Sequence, residues 1–197
     1  MSTASVPEKP LFDAGPIALG AFASSTLILS SVNVNFVDKT TFQAVIASAW
    51  VMGGLVQLLV GIYSLTVGRL FASVAFMSYG GFWLSFAVFE TFYVSKVPPA
   101  EHGHATALFL APWLIFTIIL WIASFKTSMA FVIGVGLLVL TIAALILGQA
   151  NTNENWIKIG GWLGLVLALE IFYIAAAELI NQMFGRHILP LGAFSTE

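Results

Sequence analysis

The chain has 197 residues, 59% of them hydrophobic and 8% charged, with a net charge of −2, no cysteine and a mean hydropathy of +0.99. A soluble domain of that composition is hard to keep in solution. The lack of thiols excludes a cysteine metal site, and the lack of a basic excess argues against nucleic acid as a partner. The few charges are clustered. Residues 14–37, 40–68, 70–89, 102–125 and 127–153 carry no Asp, Glu, Lys or Arg, and 159–185 carries only Glu170 and Glu178. A helix crosses a hydrocarbon core in about 20 apolar residues, and irregular backbone cannot face lipid. The pattern predicts an all-α integral membrane protein of six transmembrane helices in one bundle. Its divisions are a polar tail over residues 1–13, a membrane domain over 14–185 and a C-terminal tail over 186–197. The N-terminal stretch has no basic run before an apolar core and does not read as a cleavable signal.

Helix one is expected to start at Asp13-Ala-Gly-Pro16, with Asp13 as N-cap and Pro16 in the first turn, and to run to about Val37. It is rich in hydroxyls and amides: Ser24, Ser25, Thr26, Ser30, Ser31, Asn33 and Asn35. That load fits either interhelical hydrogen bonding or a wet, pore-facing side. Helix two, about Thr41 to Thr66, places Ala47, Gly54 and Gly61 at heptad spacing, a ridge that lets helices approach closely. Gln57 shares that side, and a mid-membrane amide needs a partner or water.

Helix three, about Leu70 to Val94, contains Ser78-Tyr-Gly-Gly-Phe-Trp83. Helix four opens near His104, where His102-x-His104 could sense pH, and Pro112 predicts a kink. Helix five runs from about Ser128 to Gln149. Helix six carries a second small-residue ridge, Gly161, Ala168 and Ala175. The segment from Gly80 to Tyr93 matches that from Gly160 to Tyr173 without a gap, sharing both glycines, the Glu and the Phe-Tyr. Two copies of a three-span unit must lie inverted in the membrane, so a 3+3 inverted repeat is one reading of the match and coincidence the other. Glu170, Ile174, Glu178 and Gln182 form one i, i+4 row. Glu170 falls near mid-membrane, where a charged acid is costly, so it is expected to be neutral, paired or at a polar interface. Glu178 is expected either to act near a pathway mouth or to be held structurally by Asn181 or a neighbouring helix.

Sites for chemistry are absent. The sequence has no HExxH, GxSxG or GxxxxGK[ST] motif, so no enzyme, catalytic residue, metal or cofactor is expected. No Lys, Arg or His lies deep in a span. A permeating anion would therefore meet only hydroxyls, amides, indole N–H groups and helix N-termini. The pathway candidates are Ser25, Thr26, Gln57 and Glu178. The side holding both tails carries Lys9, Arg69, Lys126 and Arg186, against Lys39, Lys96 and Lys158 on the other, which favours cytoplasmic termini in a cell membrane.

Five ordered motifs then become recognisable: Gly15-Pro16-Ile-Ala-Leu-Gly-Ala-Phe22, Gly53-Gly-Leu-Val-Gln57-Leu-Leu-Val-Gly61, Ser78-Tyr79-Gly-Gly-Phe-Trp83, Gly160-Gly-Trp-Leu-Gly164 and Phe184-Gly-Arg-His-Ile-Leu-Pro190-Leu-Gly192. On these the chain resembles the acetate uptake transporter family, the bacterial succinate–acetate permeases and their fungal relatives. The resemblance implies homohexamers of six-helix protomers in the lipid bilayer, each protomer with its own path for acetate and related short carboxylates, in some members succinate. It leaves open a passive channel or a proton symport. It also implies an apolar constriction at Phe22, Tyr79 and Leu138, and it matches Glu178 to an acid before the family's Asn-x-x-Phe-Gly-Arg segment. The family's mouth motif, Asn-Pro-x-Pro-Leu-Gly, stands here as Asp13-Ala14-Gly15-Pro16-Ile17-Ala18. An ionised Asp13 should repel acetate there, so either Asp13 serves purely as a helix cap or the substrate preference is shifted. The alternative reading is a channel for a neutral small solute such as urea or a short amide.

Overall fold

The computed structural model describes residues 13–192 and 194. Its regular elements are helices, and six stretches are long and apolar enough to cross a bilayer. They are helix one (Gly15–Asn33), helix two (Lys39–Thr66), helix three (Leu70–Lys96), helix four (Pro99–Ser124), helix five (Met129–Ala150) and helix six (Glu154–Phe184). At 1.5 Å per residue they span about 28 to 46 Å, enough for a hydrocarbon core about 30 Å thick. The chain is a multi-pass membrane protein. Helix six packs along helix one and helix five, helix four along helix five, and helix two along helices one and three. Helices three and four touch only slightly, and aromatic rings fill part of the gap. Phe82 lies 5.8 Å from Phe109 and 5.3 Å from Trp113 between ring centres.

Several helix limits differ from the hydropathy reading, each for a local reason. Helix one stops at Asn33 because Asn35 takes a left-handed backbone (φ 61°), a conformation asparagine tolerates better than most residues. Asp38 then caps helix two, its carboxylate accepting the Thr40 N–H at 2.8 Å. Hydrogen bonds from the Thr40 side chain and backbone hold the Asp38 carboxyl below its usual range. The α-helical part of helix four runs from His102 to Ser124 with Pro112 inside it.

Helix two is π-helical from Ala49 to Val56, and the wider turn rotates its buried face. Val45, Ala49, Gly53 and Gln57 follow at steps of four along the buried side, while Ala47 is exposed. The expected Ala47–Gly54–Gly61 ridge therefore loses its first member. The helix-six ridge is buried throughout at Gly161, Ala168 and Ala175. A Cβ on Gly161 would stand 2.7 Å from Val34 Cγ1 of the segment closing helix one. Such an approach admits only glycine.

The C-terminal stretch folds back on the bundle. Helix six ends at Gly185, in the left-handed conformation (φ 62°) that suits a glycine C-cap. The first turn of helix five then finds its acceptors in this stretch: Met129 N–H donates to Gly192 O at 2.8 Å and Ala130 N–H to Leu191 O at 3.1 Å. Asn181 ties the same segment to helix six through Ile188 N–H, Leu189 N–H and Leu189 O. A helix start buried without such partners would leave donors unsatisfied.

Candidate functional site

Four cavities lie in series through the protomer. On the side of the chain termini an open vestibule of about 680 Å³ is lined by Asp13, Arg69, Glu178, Asn181, Gln182 and His187. Asp13, Arg69 and Glu178 also line an inner pocket that continues to Phe71, Ala75, Phe76 and Phe131. Those four residues in turn border a small apolar cavity of about 50 Å³ with Leu19, Phe22, Gln57, Tyr79, Gly134 and Leu138. Beyond it a cavity of about 130 Å³ is bounded by Phe22, Tyr79 and Leu138 on one side. It carries the polar groups of Thr26, Ser30, Asn33, Glu90, Thr106, Thr141 and Gln149. Asn33, Phe42 and Gln149 then adjoin the opposite mouth beside Lys39, Glu154 and Lys158.

Phe22, Tyr79 and Leu138 are thus the three residues that both central cavities share. The Phe22 and Tyr79 rings meet edge to face at 5.6 Å. The orientation of Tyr79 is fixed from helix four, where its hydroxyl lies 2.8 Å from Thr117 Oγ1. Thr117 Oγ1 itself donates to Trp113 O at 2.6 Å, so Tyr79 is the donor of the pair. Two aromatic rings of the lower approach, Phe71 and Phe131, also meet edge to face at 5.9 Å.

The other expected residues divide. Thr26 lines the upper cavity, and its buried hydroxyl has no partner among the described residues. Ser25 does not reach either central cavity. It is fully buried and bonds the Ser48 hydroxyl at 2.8 Å and Ala21 O at 3.1 Å, joining helix one to helix two. One residue of rotation separates Ser25 from Thr26, and only the packing decides which faces the lumen. Gln57 borders the small cavity, donating to Gly53 O at 2.8 Å with its Oε1 unpaired. Glu170 has no hydroxyl or amide partner of the kind expected. Its Oε2 is buried without a hydrogen bond and rests in the notch left by Gly134 of helix five. Glu178 is not held by Asn181, whose amide is engaged with the C-terminal stretch.

Asp13 departs from expectation in an informative way. Helix one begins with Ala14 as N-cap, so Asp13 stands one residue earlier, its carboxylate accepting Gly15 N–H at 2.9 Å. The same carboxylate is ion-paired with Arg69. Gly15 is buried beneath the Glu178 carboxyl and lines the inner pocket, and Pro16 occupies the first turn of helix one. Arg69 follows Gly68, whose φ of +75° makes the tight turn between helices two and three. Arg69 and Thr117 are site residues that composition and spacing did not single out. Arg69 counted only as a loop charge, and Thr117 is the one hydroxyl in the stretch from Ala107 to Ala123 of helix four.

A family model described as GPR1/FUN34/yaaH matches residues 1–192. The chain belongs to the GPR1/FUN34/yaaH family. Among its curated relatives, acetate permease A of Emericella nidulans is 35% identical over 96% of this chain and 69% of its own length. The succinate-acetate/proton symporter SatP of Escherichia coli K12 is 27% identical over 92% of this chain and 96% of its own. A solved structure described as the bacterial acetate channel SatP superposes with a TM-score of 0.86 at 27% identity, over 92% of this chain and 99% of that one. The six-helix fold matches the SatP channel structure, and these relatives are transporters or channels by name.

Proposed function

We propose that this protein is a permease of channel type for acetate and related short carboxylates, succinate among them, and not an enzyme. The observation that carries the reading is the series of cavities pinched by Phe22, Tyr79 and Leu138, in a family that includes an acetate permease and a succinate-acetate/proton symporter by name. A ring of large apolar side chains excludes water and ions by dewetting. A solute with a methyl group and one carboxyl can place the methyl in that ring while hydroxyls on one side and Gln57 on the other solvate its oxygens. Among the described residues lining the two central cavities there is no Lys, Arg or His. Binding there is accordingly weak, as passage requires.

In this reading residues 14–185 form one transmembrane domain in the cell membrane with cytoplasmic termini, and six copies assemble as a homohexamer. Native mass spectrometry in mild detergent should show six copies; monomer alone would refute the assembly. Reconstituted protein should take up labelled acetate saturably, with formate or propionate competing. The same uptake with and without a pH gradient separates proton symport from passive flux. The cation-free central cavities also suit a neutral solute, so labelled urea is the control: urea flux without acetate flux would overturn the carboxylate reading.

A further inference from the structure

We infer that Arg69 is the carboxylate-capture residue at the terminus-side mouth, and that Asp13 occupies it as a built-in competitor that biases the mouth toward monocarboxylates over dicarboxylates. This rests on the carboxylate reading above and names a residue for it. The first ground is position. Asp13, Arg69 and Glu178 are the residues common to the outer vestibule and the inner pocket leading to Phe71 and Phe131. A solute moving inward passes between them. Arg69 is the one Lys or Arg among the described residues lining either space.

The second ground is geometry. The Asp13 carboxylate is ion-paired with the Arg69 guanidinium, so the guanidinium faces the mouth where a carboxylate can meet it. The Arg69 side chain is 44% exposed, against 15% for Asp13, and so has room for an incoming carboxylate beside the resident one. A guanidinium offers five donors in a planar fork, enough for two carboxylates in turn. Asp13 is in turn anchored by Gly15 N–H and by its own N–H to Gln182 Oε1 at 3.3 Å. It therefore stays at the mouth when its hold on Arg69 is exchanged.

The third ground is charge. An incoming carboxylate meets one cation flanked by the carboxyl groups of Asp13 and Glu178, with the His187 imidazole on the vestibule wall. Asp13 repels each carboxylate of the solute, so its effect grows with solute charge. A residue that served only to hold helix one would affect acetate and succinate alike.

The experiment is equilibrium exchange of labelled acetate and labelled succinate in proteoliposomes, which samples both mouths, for wild type, Asp13→Asn, Arg69→Gln and Arg69→Lys. Asp13→Asn is isosteric and keeps the acceptor for Gly15 N–H. It should lower the apparent KM for acetate severalfold and that for succinate by a larger factor. Both gains should shrink at high salt. Arg69→Gln should raise the acetate KM about tenfold with the maximal rate little changed, and Arg69→Lys should restore part of it. If Arg69→Gln does not assemble, the Asp13→Asn and Arg69→Lys results decide. Assembled variants whose KM values stay at wild type, or change equally for the two solutes, overturn the inference. Wild-type protein that exchanges no acetate overturns the carboxylate reading itself and this inference with it, an outcome distinct from unmoved KM values.

Discussion

Replacing Thr117 by valine is the most direct probe of how the central constriction is held. The substitution keeps shape and volume at a site with no exposed surface, so packing changes little. It removes the acceptor of the Tyr79 hydroxyl, 2.8 Å away, at a position where Tyr79 is itself only 7% exposed. A buried donor left without a partner costs about 1 to 3 kcal/mol. Tyr79→Phe removes the hydroxyl as well as the bond, leaving Thr117 still satisfied by Trp113 O, and should cost about 0.5 to 1.5 kcal/mol. The double variant should be no less stable than Thr117→Val alone, because no group is then stranded. Thermal unfolding in detergent, with a chemical-denaturant check, measures the cycle. Acetate flux gives the functional side: a Tyr79 ring freed from helix four should close the path less well, and basal flux should rise in Thr117→Val. Additive losses, or a Thr117→Val protein as stable and as tight as wild type, would show that the hydroxyl pair does not position the ring.

Phe22→Ala and Leu138→Ala each open the ring shared by the two central cavities, and both should raise flux or broaden the solutes accepted in the uptake assay; unchanged rates and selectivity would remove these residues from the barrier. Gly134→Ala would place a methyl against the Glu170 carboxyl and 3.0 Å from Ile171 Cδ1, an overpacking worth about 1 to 3 kcal/mol in thermal stability. Glu170→Gln and Glu178→Gln, compared from mildly acidic to neutral pH, separate the two acids. If both assemble and keep wild-type flux and pH dependence, neither has a transport role.

The architecture was legible because the membrane imposes it. Uncharged stretches of sufficient length admit only spanning helices, and all six occur where the charges leave room for them. What hydropathy cannot carry is the rotation of each helix about its axis. Ala47 illustrates this: its heptad spacing with Gly54 and Gly61 holds for a regular helix and fails across the π-helical stretch Ala49–Val56. Ser25 and Thr26 are adjacent hydroxyl residues and both buried, yet one joins two helices and the other lines a cavity. Asp13 read as a helix cap or a repulsive charge. Its engagement with Arg69 depends on the Gly68 turn bringing residues 56 positions apart to one mouth, and no local pattern encodes that distance.

The matched segments of helices three and six show how similar sequence acquires different roles. In both, the first glycine faces the backbone of the preceding helix. A Cβ on Gly80 would lie 2.8 Å from Leu58 N of helix two, and one on Gly160 3.3 Å from Leu145 N of helix five. The second glycines diverge. Gly161 is pressed against the end of helix one, whereas Gly81 meets nothing within 4 Å, because helix three has no comparably close neighbour in helix four. Glu90, ten residues after Gly80, borders the larger central cavity. Its counterpart Glu170 is wedged instead into the notch at Gly134. One acid therefore faces a polar chamber and the other a packed seam between helices. The difference arises from which helices pack on each segment, not from the residues themselves.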